Sequence, residues 1–182
     1  MSPLPELGSR FELVDLEGRR HRLVDAVESG AVALFFFAPE CAASGVAAPF
    51  VELIWEGYRD HVSAEETRLT VLGIGIGEEA AVRSSLEKYG WSFPVLLDRD
   101  GEVSRAYRVE STPTLCLLRG RERLRTDAEA VPEAEGYRIV DRVAGWSREG
   151  YELFAEEIAQ RIGTLPVELY GGRPDVPDSL PG

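Results

Sequence analysis

Asparagine is missing from the chain, lysine occurs once (Lys88), glutamine once (Gln160), and methionine only at position 1. Without asparagine there is no acceptor for N-glycosylation. Positive charge rests on 19 arginines, a skew that thermophily and a G+C-rich genome would both produce. Only two cysteines are present, Cys41 and Cys116. Two are too few for a disulfide framework, so free thiols and a cytoplasmic setting are expected. The longest apolar run, Ala31 to Pro39, falls well short of the roughly 18 residues of a membrane span. The first ten residues lack a basic region followed by an apolar stretch, so no secretory leader is expected. With 32 acidic against 20 basic residues the formal charge is -12. That disfavours nucleic-acid backbones and anionic membrane surfaces as partners, because both would repel the protein.

What remains is a chain of 182 residues, 44% hydrophobic, long enough and apolar enough to bury a full core. Phe11–Leu16 and Arg20–Val24 flank the turn pair Glu17-Gly18 and predict an N-terminal β-hairpin. Ala31–Phe37 is a continuous apolar run, as in a strand buried on both faces. Small and apolar residues recur at helical spacing from Ala42 to Tyr58. Leu69–Ile76 predicts a second buried strand, and Glu78–Tyr89 a helix that Gly90 ends. A short strand (Phe93–Leu97), a turn (Asp98 to Gly101), a short helix (Val103–Tyr107) and a strand (Thr114–Leu118) follow. Ile139–Val143 is the last predicted strand and Arg148–Ile162 the last helix. Strands alternating with helices imply an α/β sandwich around a central sheet. One domain is expected over 1–162, with a charged insertion at 119–137 that carries Arg119, Arg121, Arg123 and Arg125 on a solvated edge. The segment 163–182 holds four prolines and four glycines in 20 residues. It is expected to be extended, either draped on the body or mobile.

Three features point to chemistry. The buried strand ends in Ala38-Pro39-Glu40-Cys41, and a helix starts at that cysteine. Pro49 then sits inside the helix, where a backbone donor is lost. Far downstream, Ser111-Thr112-Pro113-Thr114 leads straight into a strand. With the hairpin residues Asp15-Leu16-Glu17-Gly18 and the stretch FPVLLDRDGEVSRAYRV, this ordered set resembles the thioredoxin fold, in its TlpA/ResA-like and AhpC/TSA branches. The resemblance covers about Leu7 to Ile162. It implies a three-layer α/β/α sandwich with a central mixed sheet, Pro113 as a cis-proline, and Cys41 as the thiol facing it. Thr112 and Pro113, with Pro39 and Glu40, would form the substrate-binding surface.

The family's redox motif is Cys-x-x-Cys, and here it is Cys41-Ala42-Ala43-Ser44. The glutamate usual in the TlpA/ResA-like branch is Ala47, and thioredoxin's buried aspartate is Phe35. A protein that never resolves its mixed disulfide internally needs none of the three. Cys41 and Ser44 are therefore the candidate catalytic pair in a monothiol cycle, in which Cys41 attacks a disulfide or glutathionylated protein and an external low-molecular-weight thiol releases it. A helix N-terminus would favour the thiolate, and Glu40 would oppose it. Two other uses stay open: a redox-inactive binding module with a groove between Ser44 and Pro113, and one-cysteine peroxide reduction. The peroxiredoxin pattern Pro-x-x-x-Thr-x-x-Cys would require threonine at Ala43 and cysteine at Val46, and is absent.

No cofactor or metal is expected. Gly45 stands where Sco-type copper binding would want a second cysteine, and His21 and His61 show no ligand spacing. Gly73-Ile74-Gly75-Ile76-Gly77 suits a strand with glycines on one face better than a nucleotide loop. Cys116 reads as core, and Trp91 and Trp146 as packing residues.

Overall fold

The computed structural model describes residues 7–63, 68–119, 137–171 and 175–182. The chain runs β1 (Leu7–Gly8), β2 (Glu12–Val14), β3 (Arg20–Arg22), α1 (Leu23–Ser29), β4 (Gly30–Phe37), α2 (Ala42–Tyr58), β5 (Arg68–Ile76), α3 (Glu79–Tyr89), β6 (Val95–Asp98), α4 (Glu102–Ala106), β7 (Thr114–Leu118), β8 (Tyr137–Ala144), β9 (Trp146–Ser147), α5 (Arg148–Ile162) and β10 (Ser179–Leu180). Six strands form one sheet in the order β1-β8-β7-β4-β5-β6. Strands β4, β5 and β6 pair in parallel, and β7, β8 and β1 add to them antiparallel.

The AVALFFF run explains the layering. In β4 alternate side chains leave opposite faces. Phe35 and Phe37 enter one cluster with α2, α5 and Val82 of α3, whereas Val32, Leu34 and Phe36 enter a second with Leu23 and Val27 of α1, and Val103 of α4. Both faces are thus covered, which places β4 in the middle of a three-layer sandwich. On the first face Gly73 and Gly75 lie where aromatic rings approach the sheet. A Cβ at Gly75 would stand 2.6 Å from a methyl of Val82 and 3.1 Å from Phe37, and one at Gly73 would stand 3.0 Å from Phe93. The glycine repeat is a strand that makes room for this packing.

The hairpin is shorter than expected. Its strands end at Val14 and Arg22, and Val24 belongs instead to α1. Leu23 and Val27, four residues apart, turn that helix onto the sheet and are buried. Asp15 secures the turn. It is 4% exposed and accepts from the backbone N–H groups of Glu17 and Arg19 at 2.9 Å and from the Arg19 Nε at 2.8 Å, with His21 Nε2 at 2.9 Å. His61 spends its Nε2 on the Ile162 carbonyl. Cys116 is fully buried in the cluster on the α1 side, across the sheet from the one against which Cys41 packs.

Residues 163–171 and 175–182 pack along the body. Leu169 is buried, and Val167, Tyr170, Val176 and Leu180 lie against the α2/α5 cluster. Of the expected charged insertion only Arg119 and Tyr137 fall within the described residues, and positions 120–136 lie outside them.

Candidate active site

Strand β4 ends at Phe37, Pro39 and Glu40 make the turn, and the Cys41 N–H bonds back to the Ala38 carbonyl at 3.1 Å. Cys41 is the N-cap of α2. Its backbone is extended, and its sulfur accepts from the Ser44 N–H at 3.4 Å, which satisfies one of the orphan donors of the first turn. Cysteine thus fills the place where serine or aspartate usually stands, and the dipole of a 17-residue helix ends on its sulfur.

The second wall comes from the loop before β7. Its Thr112-Pro113 peptide bond is cis. The Cys41 thiol donates to the Thr112 carbonyl at 3.0 Å, joining two residues 71 positions apart. This loop is pinned twice: the Thr114 hydroxyl donates to the Ser111 carbonyl and the Gly145 N–H to the Pro113 carbonyl, each at 2.7 Å. Pro113 and Ser44 are buried, Cys41 and Thr112 half-buried, and Glu40 exposed. The structure therefore brings Cys41, Ser44 and Thr112 into one cluster with Pro113 beside it. Pro39 and Glu40 are held next to it by the turn.

The Ser44 hydroxyl is buried and has no hydrogen-bond partner among the described residues. A rotation that aims its O–H at the sulfur would give it the Cys41 thiolate as partner, and this is the largest influence lowering the thiol pKa. Burial raises the Cys41 pKa, but the side chains of Ser44 and Thr112 and the N–H groups of Ser44 and Ala43 together outweigh it, and the pKa falls below the usual thiol value. One bond works in the opposite sense. Donation to the Thr112 carbonyl exists only while the thiol holds its proton, so ionisation releases that carbonyl.

Two features of the site had little trace in the sequence. Tyr89 lies against the first turn of α2, where a Cβ at Gly45 would stand 2.5 Å from its hydroxyl. The strand after the Gly145 bend, β9, borders the Thr112 loop and carries residues 179–180 as a partner. In the sequence this bend shows only as a glycine, Gly145, whose φ is +73°. Among the described residues no group of three or more His, Cys, Asp or Glu side chains could hold a metal ion.

A mixed sheet layered between helices, with an N-capping cysteine facing a cis-proline loop, defines a thioredoxin-like fold. Solved structures share it. A secreted disulfide oxidoreductase of Mycobacterium tuberculosis superposes with a TM-score of 0.56 at 20% identity, over 85% of this chain and 96% of that one. A thioredoxin family thiol:disulfide interchange protein of Chlorobium tepidum gives 0.64 at 16% identity, over 90% and 100%. Residues 6–128 match the AhpC/TSA family, and the chain belongs to that family. Among curated relatives, thiol-disulfide oxidoreductase ResA of Geobacillus thermodenitrificans is 32% identical over 109 residues, 59% of each chain. ResA of Bacillus subtilis is 29% identical, over 59% of this chain and 57% of its own. The chain thus spans about three fifths of the length of the curated relatives it matches.

Proposed function

We propose that the protein carries out thiol-disulfide exchange with Cys41 as the single nucleophile, in a monothiol cycle. The observation that carries this is the position of the Cys41 sulfur: half-exposed, at the N-cap of α2, with its pKa lowered and Ser44 in the place of a resolving cysteine. In the first step the Cys41 thiolate attacks one sulfur of a disulfide or glutathionylated protein. A new S–S bond joins Cys41 to that sulfur, and the other leaves as thiolate with the electron pair. In the second step an external low-molecular-weight thiolate attacks the substrate sulfur of the mixed disulfide: a new S–S bond joins those two sulfurs, the bond to Cys41 breaks, and Cys41 leaves as thiolate with the electron pair. No net oxidation of the protein occurs over the cycle. The ResA relatives, which are called thiol-disulfide oxidoreductases, support the reaction class.

Ser44 supplies a hydroxyl that steadies the thiolate during attack and departure but forms no second disulfide. Thr112 offers a carbonyl that becomes free as the thiol ionises, beside the sulfur that must meet the substrate. The test is the pH dependence of Cys41 alkylation in the native protein, read by mass spectrometry with Cys41→Ser as control. Rapid labelling with a midpoint below that of a free thiol is expected. Labelling at the free-thiol midpoint, or none until denaturation, would sink the proposal.

A further inference from the structure

Residues 178–182 run up to the loop that carries Thr112. The indole N–H of Trp146 donates to the Pro177 carbonyl at 2.6 Å, and the Arg148 N–H to the Asp178 carbonyl at 2.8 Å. β10 then lies antiparallel to β9, with Ser179 opposite Ser147 and Leu180 opposite Trp146. Beyond it the backbone crosses Gly145, whose φ is +73°. A Cβ there would stand 3.0 Å from the Leu180 carbonyl oxygen and 3.3 Å from the Gly182 nitrogen. Gly182 closes against the Thr112 loop, where a Cβ on it would stand 2.6 Å from the Thr112 carbonyl oxygen and 2.7 Å from the Ser111 hydroxyl. The Thr112 oxygen is the same atom that accepts the Cys41 thiol at 3.0 Å. One carbonyl thus touches the sulfur on one side and the chain's own residue 182 on the other.

We propose that residues 178–182 are a strap that occupies the strip where an extended polypeptide must lie to deliver its sulfur to Cys41. The proposal rests on thiol exchange at Cys41. The strip consists of the β9 edge and the polar groups of Ser111 and Thr112, and it receives a backbone by strand addition, with an apolar side chain seated where Leu180 packs. Its physiological competitor is therefore an extended protein segment with an apolar residue close to its disulfide sulfur. The strap is built to leave. Pro177 and Pro181 lack N–H groups and bracket the ladder, so it spans only two residues. Even with the Trp146 and Arg148 bonds and the Leu180 contact beside it, so short a ladder opens more readily than the core. Small reagents that need no backbone strip reach the half-exposed sulfur past it.

The test uses the full chain with Leu180→Asp, and Gly182→Val as a second variant whose side chain has no room against Thr112. Leu180 is half-buried at the surface, so the core is left intact. The first probe is a six-residue peptide with isoleucine two positions before a cysteine, joined by a disulfide to thionitrobenzoate. Cys41 attacks the peptide sulfur, the S–S bond breaks, and thionitrobenzoate leaves with the electron pair as a coloured ion. Both variants are expected to raise this rate roughly tenfold, as a binding-competent state becomes populated, while iodoacetamide labelling shifts less than about twofold. Equal changes in both rates, or none, overturn the strap.

The second probe contains no thiol: a synthetic peptide with the sequence of residues 176–182, added to Leu180→Asp in a Cys41→Ser background. It is expected to shift the amide resonances of Thr112 and Gly145 there, but not in Cys41→Ser with the strap in place. No shift in either overturns the strap whatever Cys41 does. A shift in a protein whose Cys41 ignores every disulfide supports the strap and defeats the exchange cycle instead.

Discussion

The Cys41 sulfur and the Thr112 carbonyl oxygen stand 3.0 Å apart, a bond between the N-cap of one helix and a loop 71 positions away. The same sulfur accepts from the Ser44 N–H. Donor and acceptor roles on one atom make the thiol a switch between two partners. Protonated, it is tied to Thr112. Ionised, it loses the Thr112 carbonyl and is held by the groups at the head of α2 and by the Thr112 side chain.

That balance predicts a pH signature in stability. The folded protein lowers the Cys41 pKa, so between the lowered value and the free-thiol value of about 8.5 the unfolded chain binds more protons than the native one. Native stability contributed by Cys41 must rise with pH across that window and be complete above it. Falling pH removes it as the native thiolate is protonated. Urea unfolding of wild type and Cys41→Ser at several pH values checks this, and the difference between them should grow from neutral to alkaline pH. A pH-independent difference would refute it.

Restoring the missing thiol should change the cycle. Ser44→Cys places a second sulfur one helical turn from Cys41, where the unpartnered hydroxyl now sits. Oxidation is expected to remove two hydrogens and protect both thiols from alkylation, as seen by mass. Release of a mixed disulfide from Cys41 should accelerate roughly a hundredfold and lose its dependence on external thiol, because the attacking group is held in place. Ser44→Ala should move the alkylation midpoint of Cys41 upward, since the largest influence lowering its pKa is lost.

Much of this arrangement was legible from residues close in sequence. Periodicity and a stop at Pro39 located β4 and the bounds of α2, because both depend on local patterning. The helix α1 was hidden. It has seven residues, no side-chain cap and two valines, and the alternation of the preceding hairpin ran into it. The course of residues 163–182 was not legible either. Its composition forbids a helix and a core of its own, but its position comes from partners far away in sequence: Trp146 for Pro177, Arg148 for Asp178, Ser111 and Thr112 for Gly182. No short-range pattern records such pairs.

The Asp15 turn predicts a second pH dependence, on the acid side. Burial alone would raise its pKa, but His21, the Arg19 side chain and two backbone N–H groups outweigh that and hold the carboxyl well below the usual range. Stability from Asp15 is fully present above the unfolded value of about 4 and is lost as pH falls below it toward the lowered native value. Asp15→Ala should cost about 2 kcal/mol at neutral pH, chiefly by removing the charge-assisted hydrogen bonds that the carboxylate accepts from Glu17, Arg19 and His21. Denaturant titrations at pH 7 and pH 3 check both, and the variant should show the smaller loss on acidification.

The glycine repeat in β5 predicts a steric effect that isolates packing from chemistry. A methyl at Gly75 would meet Val82 at 2.6 Å and Phe37 at 3.1 Å, both deep in the core. Gly75→Ala is therefore expected to destabilise by about 2 kcal/mol through overpacking. Pairing it with Val82→Ala should recover part of that loss, because the clash is with the valine methyls. Alkylation of Cys41 should keep its pH midpoint in the folded double variant.

Tyr58 ties the C-terminal segment to the body through one hydroxyl. Its oxygen accepts from the Val167 N–H at 2.7 Å, and it donates to the Ala155 carbonyl at 3.3 Å, so a residue of α2 joins α5 to the chain that follows it. Tyr58 is 2% exposed and its pKa is raised by burial, so it holds its proton at any ordinary pH. Tyr58→Phe keeps the ring and removes both bonds, leaving a main-chain donor and acceptor without it. The expected loss is about 1–2 kcal/mol, the usual consequence of stranding such groups. Hydrogen exchange distinguishes where it falls. The Val167 amide should exchange faster than the global opening rate in the variant, whereas amides of β4 should follow only the change in overall stability. If Val167 keeps its wild-type protection relative to the core, the hydroxyl is not what anchors this segment.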